Sequence, residues 1–428
     1  MATAENILKV KEILQADRER RFVVVSAPGK RFPGDKKITD CLYQSYDEAK
    51  KTGRCGQSFK EVKERFLALE KELGVNVEMQ RLLEEIEEKI LRSLTPDYAA
   101  SCGEFLCAKL LSAVMGYEFI DSRELVMFDY KGKLNAEYTN DVTKNRLAKV
   151  DGGAIIPGFY GVMPNGNIKT FTRGGSDITG AIVARATDAS VYENWTDVNG
   201  FLIADPRIVP NPKHIRSLSY KELRELSYMG AEVLHPESIF PVKVAGIPVL
   251  IKNTFAPQVE GTAILPDIDE QEGVITGIAG KRGITGILVE KGLMNAEVGF
   301  TRKILSVLER YNISFEHLPS GVDTMSIVIS DHELEGRTFQ LVEDIKKAVS
   351  PDKIEVQSGL SLIATVGHGM CYKPGTAAKI FTALSKCGVN IRMIDQGSSE
   401  LNIIVAVSEE DYEKAINAIY KEFIDDFR

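Results

Sequence analysis

The stretch Phe171–Ala181 reads FTRGGSDITGA and gathers Arg173, Gly174, Gly175, Ser176 and Asp177 where a helix is expected to begin. Paired glycines let a backbone come close to a ligand. A helix start offers unpaired N–H groups and partial positive charge, which suit an anion. The arginine fork of donors matches a carboxylate or phosphate. Asp177 can cap the helix or hold a cationic group. These residue types support capture of an anionic small molecule. They would equally make a glycine turn capped by Asp177, so the choice turns on residues elsewhere in the chain.

A second glycine loop, Ala27-Pro28-Gly29-Lys30, follows Phe22–Ser26, a β-branched run suited to a buried parallel strand. Ligands of α/β proteins gather at such strand ends. Around these loops the spacing predicts helices at Ile7–Leu14, Ser101–Met115 (beginning near Gly103 and Glu104) and Thr179–Ala186. The charged segments Ser58–Leu73 and Asn76–Leu94 read as an exposed helical hairpin. Strands are expected at Leu125–Phe128, Ala154–Pro157, Ser190–Trp195, Phe201–Ile203 and Pro248–Ile251. The alternation predicts an α/β layered domain over residues 1–263.

The last third carries an internal repeat. Ile284–Val289, a helix near Thr301–Tyr311, Ile313–His317 and Met325–Ile329 form one β-α-β-β series. Leu362–Val366, a helix near Thr376–Lys386, Val389–Ile394 and Leu401–Val407 form another, closed by a helix over Glu409–Phe423. Gly299 and Gly375, Ile313 and Val389, and Gly321 and Gly397 are each 76 residues apart (375 − 299, 389 − 313, 397 − 321). Domains are expected at 272–350, completed by C-terminal residues, and at 351–428.

Composition narrows the function classes. The 428 residues are 44% hydrophobic, enough for sizeable cores, and their net charge of −8 comes without any basic run, against a nucleic-acid surface. No apolar run reads as a membrane span. The six cysteines contain no CxxC pair, which suits reduced thiols in the cytoplasm. None of the five histidines falls in a metal-ligand cluster, and no metal ligand is expected.

Several ordered motifs run along the chain. They are Ser26-Ala27-Pro28-Gly29 with Lys37-Ile38-Thr39-Asp40, Ser101-Cys102-Gly103-Glu104, and Gly158-Phe159-Tyr160-Gly161 with the 173–177 segment. Further on come Trp195-Thr196-Asp197-Val198-Asn199-Gly200, Ala204-Asp205-Pro206-Arg207, and Tyr228 with Gly230-Ala231 and Val233-Leu234-His235-Pro236. In this order they resemble the aspartate kinases. That resemblance implies an amino-acid-kinase (carbamate-kinase-like) sandwich with a mainly parallel sheet, followed by two ferredoxin-like ACT domains. The implied reaction is ATP plus L-aspartate giving 4-phospho-L-aspartate and ADP, with Mg²⁺, in amino-acid biosynthesis leading to lysine, threonine and methionine. Its nucleophile is a carboxylate already ionised at neutral pH, so no general base is required. Catalysis would rest on positioning and charge neutralisation.

By the same resemblance Arg173 grips an aspartate carboxylate with Gly174, Gly175 and Ser176, and Asp177 organises cationic groups at the reacting centre. Thr39 and Phe159 contact the substrate, and Glu104 pairs with its ammonium or holds a family lysine. Ser26, Gly29, Thr196, Asp197 and Arg207 face the nucleotide. Bland readings stand beside these: Glu104 as a first-turn acid, Thr39 as a helix cap, Asp205-Pro206 as a turn, Trp195 as core, and His235 as structural. Met294, Gly299, Phe300, Glu316, Ser320 and Gly321 resemble an effector loop for lysine or threonine, or else shape a dimer interface. A homodimer or homotetramer through the ACT domains is implied.

The chain departs from the family at two places. The opening K-F-G-G strand has no counterpart in these residues, so a sequence that begins downstream of it is expected; the other reading is a non-catalytic amino-acid sensor that keeps both ACT copies. Leu202 and Phe255 stand where a tyrosine and a lysine are usual, so no nucleotide contact is assigned to them.

Overall fold

The run Phe22–Val25 pairs in parallel with Ala154–Pro157, Phe22 opposite Ala154 and Val25 opposite Pro157, and Glu118–Phe119 joins the other side of Ala154–Pro157, also parallel. Side chains alternate across such a sheet, and parallel strands are covered on both faces. Val23, Val25 and Ile155 face one cluster with Ile38, Phe59, Phe66 and Leu106. Phe22, Val24, Ala154 and Ile156 face another with Ile182 and Val183 of the helix Gly175–Ala186. A second parallel pair, Tyr192–Thr196 with Val249–Asn253, carries Thr262–Leu265 antiparallel on its edge. The computed structural model describes residues 1–92, 95–172, 174–231, 234–266 and 273–424.

Contacts divide the chain into two units, Met1–Gly200 with Val233–Pro266, and Phe201–Glu232 with Asp267–Arg428. In the first unit the sequence-based expectations need four corrections. The helices Gly56–Leu73 and Met79–Leu91 are not an exposed hairpin; Phe59, Val62, Phe66, Leu69, Met79, Leu83, Ile86 and Ile90 bury one stripe of them in the core. Leu94, the expected end of that hairpin, lies outside the described residues.

The helix expected to begin near Gly103 begins at Pro96, where Thr95 accepts a hydrogen bond from the Tyr98 amide and proline fits the first turn. Gly103 and Glu104 therefore fall in its middle. This helix, Pro96–Met115, is also long and apolar enough to cross a membrane, contrary to the reading that no run approaches a span. It is a core helix, with Ala99, Leu106, Leu110 and Leu111 fully covered. Finally, Leu125–Phe128 is not a strand but makes isolated bridges from Met127 to Val162 and from Phe128 to Leu134.

In the second unit the repeat folds as two interleaved copies. The strand Gly277–Glu290 runs antiparallel to Lys353–Val366 over both lengths. Its later half pairs with Thr324–Ser330, Glu290 opposite Thr324. The later half of Lys353–Val366 pairs with Asn402–Ser408, Val366 opposite Asn402. The first copy is thus 284–357 and contiguous, whereas the second takes its fourth strand from 277–281, ahead of the first. Ile313–His317 is not a strand but meets this edge at the isolated bridge of His317 with Val328, and Ser320 bridges Met325 beyond it. Phe201–Ile203 is not a strand but an isolated bridge from Leu202 to His214, flanked by hydrogen bonds from Ile203 N to Lys213 O and from Ile215 N to Phe201 O. Each long strand breaks register at a left-handed glycine, Gly283 at φ +70° and Gly359 at φ +72°. These also lie 76 residues apart (359 − 283).

A side chain at Gly359 would meet nothing within 4 Å, so its cost there is conformational alone. Gly359→Val should lower the unfolding free energy by about 1–2 kcal/mol, read as a lower denaturant midpoint of the full chain. An unchanged midpoint would show that this φ is not imposed by the fold.

Candidate active site

The loops that follow the parallel strands are bound to one another by backbone contacts. Gly158 donates its N–H to the Val25 carbonyl at 2.9 Å, which ties the end of Ala154–Pro157 to the end of Phe22–Val25. Phe159 follows at φ +78°, a conformation costly for a residue with a side chain. It is held by its N–H donating to Thr179 Oγ1 at 3.2 Å and its carbonyl accepting from Phe171 N at 2.9 Å. A Cβ on Gly158 would lie 2.7 Å from Ser176 Cα, and one on Gly175 would lie 2.9 Å from Phe159 Cα. Neither position admits any other residue.

Gly174, at φ +54°, starts the helix Gly175–Ala186 with no side-chain cap, so Asp177 is not the capping residue. Instead Asn194 Nδ2 donates to Asp177 Oδ1 at 2.8 Å, and Tyr192 OH donates to the Asp177 carbonyl at 3.2 Å. Burial raises the Asp177 carboxyl above its ordinary range, and the Asn194 amide opposes that rise. Arg173 lies outside the described residues, as does Val233.

Glu104 is buried in mid-helix, so the first-turn reading fails for it. A Cβ on Gly103 would lie 2.8 Å from Ala27 Cβ, which shows how tightly this helix meets the Ser26–Gly29 loop. Burial pushes the Glu104 carboxyl up to about 8, opposed by the Ala27 backbone amide. Its Oε2 is buried with no hydrogen-bond partner among the described residues. Thr39 is the second residue of the helix Ile38–Thr52 and is not its cap, which is Lys37. Ile38 packs towards Gly103, where an added Cβ would lie 3.2 Å from Ile38 Cγ2. Thr39, Glu104, Phe159, Ser176 and Asp177 thus all lie where the two parallel strands end.

Thr196 ends the strand that carries Asn194, and its hydroxyl donates to Asp197 Oδ1 at 3.2 Å. Trp195 is half-exposed rather than core; its Nε1 donates to Glu193 and Arg20 stacks on its ring. The His235 carbonyl accepts from Ser238 N and Oγ, a structural role. Arg207 belongs to the second unit, where it pairs with Asp205 at 2.6 Å in a side-chain turn.

Of the expected effector residues, Met294 and Phe300 are buried and Gly299, at φ +81°, starts the helix Phe300–Arg310. The Lys291 amide donates to Asp323 O, which sets this loop beside the Ser320–Gly321 turn. Glu316, four residues before Ser320 in the chain, donates its amide to the Val328 carbonyl at 2.7 Å and pairs with Lys281 at 3.1 Å. Sequence reasoning missed Tyr192, Asn194 and Thr179. The i, i+2 spacing of Tyr192 and Asn194 is the signal that puts both on one face.

Residues 1–253 match the amino acid kinase family and residues 363–423 match the ACT domain. Aspartokinase 3 of Bacillus subtilis is 37% identical over 99% of this chain and 96% of its own. The chain belongs to the aspartokinase family. The crystal structure of the Clostridium acetobutylicum aspartate kinase is 49% identical with a TM-score of 0.90, covering 99% of this chain and 97% of that one. Escherichia coli aspartokinase III, in complex with aspartate and ADP, is 25% identical with a TM-score of 0.75 over 99% and 97% of the two chains. The same enzyme is also known in complex with lysine and aspartate. The α/β kinase fold followed by ACT domains is thus shared.

A carboxyl whose folded pKa lies above its ordinary value binds its proton more tightly in the folded chain. Stability is then fullest below about 4.5 and falls as the pH rises towards about 8. For ligand-free protein, Glu104→Gln should remove on the order of a few kcal/mol of that pH-dependent loss. Denaturant titrations of both proteins at pH 5 and pH 8 check it; parallel pH profiles would contradict the buried-carboxyl account.

Proposed function

We propose that this aspartokinase transfers the γ-phosphoryl group of MgATP to the side-chain carboxylate of L-aspartate, and that an amino acid bound at its ACT domains regulates it. The observation that carries the reading is Glu104: a buried carboxyl with one oxygen unpaired, beside the Ser26–Gly29 loop. Burying an unpaired carboxyl is costly, and a substrate ammonium would offset it. Arg173 would take the substrate carboxylate, with Gly174, Gly175, Ser176, Thr39 and the Phe159 backbone around it. Asp177, held by Asn194, would keep cationic groups aligned at the transferring phosphoryl.

The nucleotide would lie along Ser26, Gly29, Thr196 and Asp197. Gly29 suits a phosphate because nothing stands within 4 Å of its Cβ direction. Among the described residues no three acids, histidines or cysteines are grouped to hold a metal. A Mg²⁺ bound with the nucleotide would neutralise charge developing on the transferring phosphoryl group. The kinase part would span residues 1–263, the first ACT part 284–357, and the second ACT part the residues from 360 onward together with 277–281, with the chain acting in the cytoplasm as a homodimer or homotetramer.

The effector, lysine or threonine, would occupy Met294, Gly299, Phe300, Ser320 and Gly321. Glu316 would exchange its partner Lys281 for the effector ammonium. The Escherichia coli complexes with aspartate, ADP and lysine support both assignments by analogy.

Incubation with MgATP and aspartate should give a hydroxamate-positive acyl phosphate. Glu104→Gln should raise the KM for aspartate about tenfold or more through loss of a charge-assisted contact. Absence of acyl phosphate, with no binding of aspartate or ADP, would sink the kinase reading in favour of an amino-acid sensor. Lysine or threonine should inhibit, and Glu316→Ala should relieve the inhibition while leaving the uninhibited rate within about twofold; a native protein indifferent to both amino acids counts against the regulatory part.

A further inference from the structure

Between the end of Phe22–Val25 and the helix Ile38–Thr52 the chain crosses an irregular segment, Gly29–Lys36, whose residues Lys30–Gly34 are solvent-exposed or nearly so. Its two ends carry different assigned duties: Ser26 and Gly29 the nucleotide side, Thr39 the aspartate side. Both ends are held by one side chain. Arg65, on the core face of the helix Gly56–Leu73, is 7% exposed. Its Nη2 donates to the Gly29 carbonyl at 2.6 Å and its Nη1 to the Lys36 carbonyl at 3.0 Å. The same guanidinium lies 3.7 Å from Asp35 Oδ2.

Asp35 in turn closes the segment on itself. It accepts from Arg31 Nε at 2.9 Å, from Arg31 Nη2 at 3.0 Å and from the Arg31 amide at 2.9 Å. Arg65 Nε remains buried without a partner among the described residues. A buried guanidinium is costly to keep in place. An ordinary core position would be served better by an apolar side chain. Only a planar fork can reach two carbonyls at once; a lysine ammonium is a single point.

We propose that Arg65 is a positioning residue that sets the separation between the nucleotide loop and the aspartate-binding helix start, by clamping both ends of the Gly29–Lys36 segment to the helical core. This rests on the assignment of Ser26, Gly29 and Thr39 to the two substrates. Its signature is a loss of affinity for both ligands together, because one clamp governs both ends. A role in stability alone would lower the amount of active enzyme and leave each KM where it was.

The experiment compares the native chain with Arg65→Lys and Asp35→Asn. It measures kcat and both KM values by aspartyl hydroxamate formation, and aspartate and ADP binding by calorimetry. Arg65→Lys should raise the KM for aspartate and for ATP, and both dissociation constants, about tenfold, the worth of one lost charged hydrogen bond. Its kcat per folded molecule should stay within about twofold. Asp35→Asn, which leaves both carbonyl contacts intact, should shift the same constants in the same direction by less, and decides the matter if Arg65→Lys does not fold. Unchanged affinities, or a fall in kcat alone, would overturn the clamp. A native chain that neither turns over nor binds aspartate and ADP overturns the functional reading, and the clamp's role with it.

Discussion

Two backbones meet with almost no space between them where Gly158–Phe159 passes the start of the helix at Gly175–Ser176. That approach fixes the direction in which the helix N-terminus points and, with it, the placement of Ser176 and Asp177. It also forces Phe159 into a left-handed conformation, which the Thr179 hydroxyl and the Phe171 amide hold in place. Thr179 also donates to the Gly175 carbonyl, so one hydroxyl serves both sides of the junction. Without it the two strand-end loops would lack a common anchor, and the polar groups around them could not share one site.

The polar groups at this junction are few, deeply placed and only partly paired. Asp177 has Asn194, Glu104 has a backbone amide and one idle oxygen, and Arg65 has two carbonyls and a more distant carboxylate. Each arrangement would be poor for stability alone, because a buried polar or charged group must recover its lost hydration. The surrounding helices supply the apolar burial that tolerates them, most of all Pro96–Met115, whose neighbours on nearly every side are other core residues. The candidate site is therefore a set of desolvated, partly paired groups beside a well-covered helix.

Much of this is legible in the residues. The helix Thr376–Lys386 and the strand Ala154–Pro157 match their expected bounds, because each is a clean run between glycine or proline signals. The 76-residue period reveals the duplication, and the glycines that break the long strands, Gly283 and Gly359, obey the same period. Their meaning stays hidden, since a glycine within a strand run signals a bulge but not which strand it exchanges with. The depth of the Gly56–Leu91 helices is masked because charges crowd three of their sides, and only the stripe of Phe59, Phe66 and Leu83 reaches the core. Arg65 cannot be found at all from residue types: its partners are main-chain carbonyls, which leave no trace there.

The interleaving of the two ACT copies sets an order of assembly. The first copy has all its strands once residue 357 has been made, and it can close while the rest is still being synthesised. The second must keep 277–281 unpaired until 360–366 arrives, and it gains its last partner only with 402–408. A break between 366 and 402 leaves the first copy able to form and the second without its last partner. The duplicated ACT portion is accordingly asymmetric in time although its landmarks repeat every 76 residues.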